Sequence, residues 1–162
     1  MKDMQVLFFN LNDNQVFGVD AMQIKEIISY DDIYKMEDIP EFTEGIVNIR
    51  GTDTLVVSMN KKLGFGEEKI TEKTKIIIGN GGNGNLGFVV NDVREVLNIG
   101  GQNIKALPKI VLNSSNSYLD FICIKGEELV YIINLDKIMD SNELNDLLAK
   151  YQNKGAEFEN AQ

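Results

Sequence analysis

The 162-residue chain has no histidine and no tryptophan, a single cysteine and two prolines. The missing histidines remove the commonest general acid–base, the commonest zinc ligand and the usual proton switch near neutral pH. A Ser-His-Asp or Cys-His nucleophile is impossible. One thiol, Cys123, excludes an intrachain disulfide and a Cys-rich metal site. Long apolar runs are also missing: Leu129–Ile133 and Ile76–Ile78 are strand-sized, far short of the roughly 20 residues of a membrane-spanning helix. Positive charge is scarce. Sixteen Lys and Arg face 25 Asp and Glu, a net charge of −9, which disfavours nucleic acid and anionic membrane surfaces. The opening MKDMQVLFFNLNDNQ has no uncharged apolar core of a signal peptide. The expectation is a cytoplasmic protein, which suits a lone thiol, acting without enzymatic chemistry, metal or cofactor.

What is present is β-patterned. Residues 4–11 and 16–19 flank the turn formers Asn12–Gln15 and predict a hairpin; 24–30 is another strand-length run. Ile39-Pro40 requires a loop. Two alternating runs around Arg50-Gly51-Thr52-Asp53 predict a second hairpin, and the charged, aperiodic stretch 66–75 reads as a linker. From residue 74 the pattern starts over. FGVDAMQIKEII (17–28) aligns without a gap on LGFVVNDVREVL (86–97), placing Gly18 on Gly87, Glu26 on Glu95 and Lys25 on Arg94. Ile39-Pro40 falls beside Leu107-Pro108, IRG (49–51) on IKG (124–126), and SMNKK (58–62) on NLDKI (134–138). Ordered matches of this kind predict a duplicated unit of about 70 residues, 5–66 and 74–139. Units this small leave sheet edges that closure into barrels removes, and too little core to stand alone. The expected fold is all-β, two small barrels packed together, with the first strand free to complete either one. Leu144, Leu147, Leu148 and Tyr151 form one apolar stripe of a C-terminal helix over 141–153, with Asp140 and Glu143 at capping-box spacing, followed by a flexible tail, 154–162. That stripe packs on its own barrel or meets a partner.

Several motifs have plain explanations. Gly79–Gly84 fits G-x-G-x-x-G after a strand, but Leu86–Val90 reads as another strand where a nucleotide site needs a helix, so the glycines serve a hairpin. The adjacent acids Asp31-Asp32, Glu67-Glu68 and Glu127-Glu128 do not converge, because strand neighbours face opposite ways. Cys123 reads as a small buried hydrophobe, and Tyr30, Tyr34, Tyr118 and Tyr131 as core or edge aromatics. Arg50, at a hairpin tip before a glycine, is either a solvated turn cation or an interface anchor, a role in which Arg is over-represented. The repeated strand I-K-E-I-I / V-R-E-V-L carries apolar residues on both faces, for a partner or for packing between barrels.

The same residues resemble the bacterial CheW chemotaxis coupling family. FGVDAMQIKEII is similar to its first signature; Pro40, Phe42, Gly45, Asn48, Arg50 and Gly51 fit its central P-x-F-x-x-G-V-x-N-L-R-G; LGFVVNDVREVLNI and YLDFICIKGEELVYIINLDKIM are similar to its later segments. Together they span about residues 4–140 in order. The resemblance implies two SH3-like five-stranded β-barrels. It also implies an adaptor that joins the cytoplasmic tips of chemoreceptor coiled coils to the regulatory domain of the histidine kinase CheA, at membrane-associated receptor arrays, with no membrane insertion and no cofactor. By matching position the implied partner contacts are Arg50, Gly51, Gly45, Ile24, Glu26, Gly87, Val89, Val90 and Val93. After Gly51 the chain departs from the pattern P-V-I-D-L-R-x-R-F-G: Leu55, Ser58 and Asn60 stand in place of its Pro, Asp and first Arg, and Asn91 where Asp is common. These departures leave open a module of a specialised signalling pathway, or part of a CheV- or CheA-type protein. An enzyme working with carboxylates and Lys alone is a remote third reading.

Overall fold

Short β-branched runs punctuated by turn residues become strands, eleven of them among the described residues of the computed structural model (1–31, 33–80, 86–108, 116–140, 142–147 and 149). They are β1 (Met4–Asn10), β2 (Val16–Asp20), β3 (Ile24–Ser29), β4 (Thr43–Ile49), β5 (Thr52–Ser58), β6 (Lys75–Gly79), β7 (Leu86–Val90), β8 (Asp92–Ile99), β9 (Ile104–Ala106), β10 (Leu119–Lys125) and β11 (Glu128–Ile133). One helical turn, α1 (Met59–Leu63), follows β5, and a second helix, α2, covers 142–147.

The strands form two sheets, in the orders β8-β1-β2-β11-β10-β9 and β3-β6-β7-β5-β4. Each sheet mixes the two halves of the chain. Hairpin β1–β2 joins β8 to β11, and hairpin β6–β7 joins β3 to β5, so the halves trade their leading hairpins. The trade creates two parallel pairings, β2 with β11 and β7 with β5, in which Gly18 lies opposite Ile132 and Gly87 opposite Val56. Those glycines are required. A Cβ on Gly18 would lie 2.6 Å from Val6 Cγ1, and one on Gly87 2.8 Å from Ile76 Cγ2. In both sheets the two edge strands are consecutive in the chain, the connectivity expected of a curled, barrel-like sheet.

Alternation along each strand sorts side chains into three cores. Val6, Phe8, Cys123, Val130 and Ile132 pack within the first sheet; Val47, Val56, Ile76, Ile78 and Val89 pack within the second. The intervening residues Leu7, Phe9, Phe17, Val19 and Ile133 meet Leu55, Val57, Ile77, Phe88 and Val90 between the sheets. Each fully buried side chain of this size contributes about 1.5–3 kcal/mol, and strands β1, β2, β5, β6 and β7 supply buried residues to both faces.

The described part of the C-terminal stripe packs on its own fold. Leu144 and Leu147 are buried, and Leu147 joins the inter-sheet core. The capping box is formed: Glu143 N donates to Asp140 Oδ1 at 2.7 Å and Asp140 N to Glu143 Oε1 at 3.2 Å. Lys62 Nζ, on α1, reaches Glu143 Oε2 at 2.6 Å. Leu148, Tyr151, the tail 154–162 and the middle of the glycine-rich loop (81–84) lie outside the described residues. The strands on either side of that loop, β6 and β7, pair antiparallel. Cys123 is buried, which pushes its thiol up. Tyr131 departs from expectation: it is neither core nor at a sheet edge, but stands exposed on β11 between two paired strands.

Candidate protein-interaction site

The β4–β5 connection is two residues long, with Ile49 paired to Thr52. Arg50 has φ +50° and Gly51 φ +84°, the two successive positive φ values that a type I′ hairpin turn demands. Glycine meets this without strain. An arginine in the left-handed region costs about 1 kcal/mol, and an Asn-Gly turn would avoid it. Asn48 braces the turn, accepting from Gly51 N at 3.1 Å and donating from Nδ2 to Asp53 Oδ1 at 3.0 Å. A strained, non-glycine residue at an exposed tip is the kind of outlier that points to function.

Arg50 is 77% exposed, and its Nη1 donates to Glu26 Oε2 at 2.8 Å, whose side chain is only 18% exposed. Glu26 comes from β3, on the other edge of the same sheet, so the pair ties the hairpin tip to the opposite edge. One guanidinium nitrogen is engaged there, and the remaining donors of the fork are available to a partner. Beneath the pair lies a small recess of about 90 Å³ lined by Lys25, Ile49, Thr52, Thr54 and Ile78 as well as the pair itself.

The second sheet end repeats this arrangement. Lys125, at the β10–β11 tip, meets Glu95 of β8 at 2.6 Å and sits 4.9 Å from the centre of the Phe8 ring. The hydrogen bond and charge of Lys125 hold the Glu95 carboxyl below its usual value. Beside this pair the outer face is apolar. Ile124 is paired with Leu129 and Ile122 with Tyr131, and Leu129 is 66% exposed. Sequence reasoning missed this face. Its signal was present in the I-C-I and L-V-Y-I alternation, where Cys123, Val130 and Ile132 take the buried positions. Met22, 81% exposed, was missed as well; with Met1, Met4 and Phe121 it lines a recess of about 490 Å³.

The nine residues carried over from the resemblance do not form one surface. Arg50, Gly51 and Glu26 are together. Ile24 and Val93 are half-buried against the inter-sheet core. Val89 and Val90 have no exposed surface and belong to two different cores, so they pack the fold and offer nothing to a partner. Gly87 makes room for Ile76, and Gly45, at φ +146°, for the Tyr34 carbonyl, which a Cβ would meet at 2.1 Å. Among the described residues no group of three His, Cys, Asp or Glu side chains could hold a metal ion, and no described helix is long and apolar enough to cross a membrane.

Residues 5–143 match the CheW-like domain family. The chain is 26% identical over 140 residues to a chemotaxis protein CheW of Klebsiella aerogenes, covering 86% of this chain and 84% of that one. It is 29% identical over 142 residues to that of Thermotoga maritima, covering 86% and 90%. Among solved structures, the scaffolding protein TtCheW of Thermoanaerobacter tengcongensis superposes with a TM-score of 0.77 at 26% identity, covering 86% of this chain and 94% of that one. Two exchanged-hairpin sheets, a braced arginine tip and a match over nearly the whole length lead to one conclusion: the chain belongs to the CheW-like family.

Proposed function

We propose that the protein is a chemotaxis scaffold that couples the cytoplasmic tips of chemoreceptors to the histidine kinase CheA, passing receptor state to the kinase without catalysing a reaction. It would work in the cytoplasm, recruited to receptor arrays at the membrane. The observation that carries this reading is Arg50: strained, exposed and held by Glu26. Nothing in the core needs it, and hydrogen-bonding capacity at a rigid tip suits a binding surface. The names of the relatives support the pathway.

The test is titration calorimetry and size exclusion with a receptor cytoplasmic fragment and with the CheA regulatory domain. A complex with each, at micromolar affinity (about −8 kcal/mol), is expected. No heat and no co-elution with either overturns the coupling role. Leu55, Ser58, Asn60 and Asn91, which depart from the family pattern, favour a second reading, a scaffold of a specialised pathway. In that case a receptor-like partner binds and the chemotaxis kinase does not.

A further inference from the structure

Between Phe65 and Thr74 the chain that links the two repeats is exposed except at one side chain, Glu68, which is 6% exposed. An acid is a costly anchor, because burial penalises its charged form. The surroundings show how it is tolerated. Ser58 Oγ, at the end of β5, donates to Glu68 Oε2 at 2.5 Å. The Glu68 carboxyl also lies beside that of Glu44 on β4. Glu44 in turn accepts from Tyr30 OH at 3.4 Å, and Lys61 Nζ of α1 is 3.5 Å away. The titratable groups in this cluster are thus Glu44, Tyr30 and Lys61, one cation among two carboxyls.

A carboxyl buried next to another is harder to ionise. Burial pushes Glu68 above the usual glutamate value; the Ser58 hydrogen bond opposes that push and the neighbouring Glu44 adds to it. Burial and the two glutamates push the Tyr30 phenol up to about 12, so it remains a donor. Asn12 holds the start of the link by donating to the carbonyls of Phe65 and Glu67, each at 3.0 Å. Glu68 is the next hold.

We propose that Glu68 is a proton-operated latch: as a carboxylic acid it fastens the inter-repeat link to β4 and β5, and on ionisation the second negative charge beside Glu44 drives that link off the surface. The sign follows from the folded value lying above the unfolded one. The stabilisation is complete below the unfolded glutamate value and is lost as pH rises through the raised folded value.

The test is amide hydrogen exchange of residues 66–73 in the full chain as a function of pH, corrected for intrinsic exchange, with a carbon-detected NMR titration of the Glu68 carboxyl. Glu68 is expected to titrate above 4.5, the ordinary value. Exchange across the link should accelerate by about tenfold for each unit by which the folded value is raised, while amides in β1 and β7 stay unchanged. Glu68→Gln, which keeps a hydrogen-bonding head without the charge, should give a flat profile. The latch is overturned by a Glu68 midpoint at or below 4.5, or by the same pH dependence in Glu68→Gln. Should that variant not fold, Glu44→Gln decides: it must move both the Glu68 midpoint and the onset of exchange to lower pH, and an unmoved midpoint overturns the proposal.

Discussion

Arg50 and Glu26 form a 2.8 Å ion pair that joins a hairpin tip to the opposite edge strand of its sheet, and the same join recurs between Lys125 and Glu95 at 2.6 Å in the other sheet. Each pair links a two-residue hairpin tip to an edge strand. They differ in use. Lys125 lies over Phe8 and keeps its stem on the fold, whereas Arg50 turns a planar fork outward from a strained backbone, the geometry suited to bidentate recognition of carboxylates.

Replacing Arg50 should separate stability from binding. Arg50→Asn relieves the positive φ and restores the favoured Asn-Gly turn, so the melting temperature should hold or rise, by the equivalent of up to about 1 kcal/mol. The same variant, like Arg50→Ala, should weaken at least one partner contact by roughly 1 kcal/mol or more. Thermal denaturation and calorimetry on the same samples check both. Full affinity in both variants removes the anchor role.

Gly45→Ala should be among the most damaging single changes. It adds a Cβ against the Tyr34 backbone carbonyl at a positive φ, a clash that no rotamer relieves. Destabilisation of about 3 kcal/mol or more in urea unfolding is expected. Partner binding by whatever folded fraction remains should be unchanged.

Asn91 closes a ring of amides. Its Nδ2 donates to Asn12 Oδ1 at 2.9 Å, and its Oδ1 accepts from Asn60 Nδ2 at 2.6 Å, while Asn60 Oδ1 accepts from Asn12 N at 2.8 Å. Asn91→Asp replaces the donor with an acceptor and leaves Asn12 Oδ1 facing a carboxylate. A loss of about 1–3 kcal/mol is expected by chemical denaturation at neutral pH. An unchanged or increased stability would show that the ring has no energetic role.

Leu147→Ala should cost about 2–5 kcal/mol, because it opens a cavity in the inter-sheet core. Asp140→Ala should cost about 1 kcal/mol, through loss of one arm of the capping box. Equal, small effects in denaturant unfolding would mean that α2 is not part of the cooperative unit.

Glu95 supplies a pH dependence of opposite sign to that of Glu68. Its folded value lies below the unfolded one because of Lys125. Its contribution is therefore present above the unfolded glutamate value and lost as pH falls through the folded value. Lys125→Gln should flatten the acid limb of the stability–pH curve, and an acid limb identical to wild type would contradict this.

Much was legible in the primary structure because it is decided locally. Alternation and turn residues placed the strands; Asp140 and Glu143 announced their cap; the aligned Gly18 and Gly87, and the aligned Glu26 and Glu95 with their tip cations, came out of the internal repeat. The neutral ring and the latch were not legible. Asn12, Asn60 and Asn91, or Ser58, Glu44 and Glu68, are far apart in the chain and carry no shared pattern, and Glu67-Glu68 looked like any solvated acidic pair.

Whether a hairpin stays with its own repeat or crosses to the other is invisible to periodicity, since an alternating strand buries one face equally well against either set of neighbours. Tertiary packing decided it. The exchanged arrangement gives β1, β2, β6 and β7 a second buried face and turns Val89 and Val90 from candidate contacts into core. It also leaves the outer face of β10 and β11, with Ile124, Leu129 and Tyr131, uncovered. Composition and local pattern determined which segments are strands and that Arg50 stands at a hairpin turn; only the way the two sheets close on each other determined which apolar residues are inside.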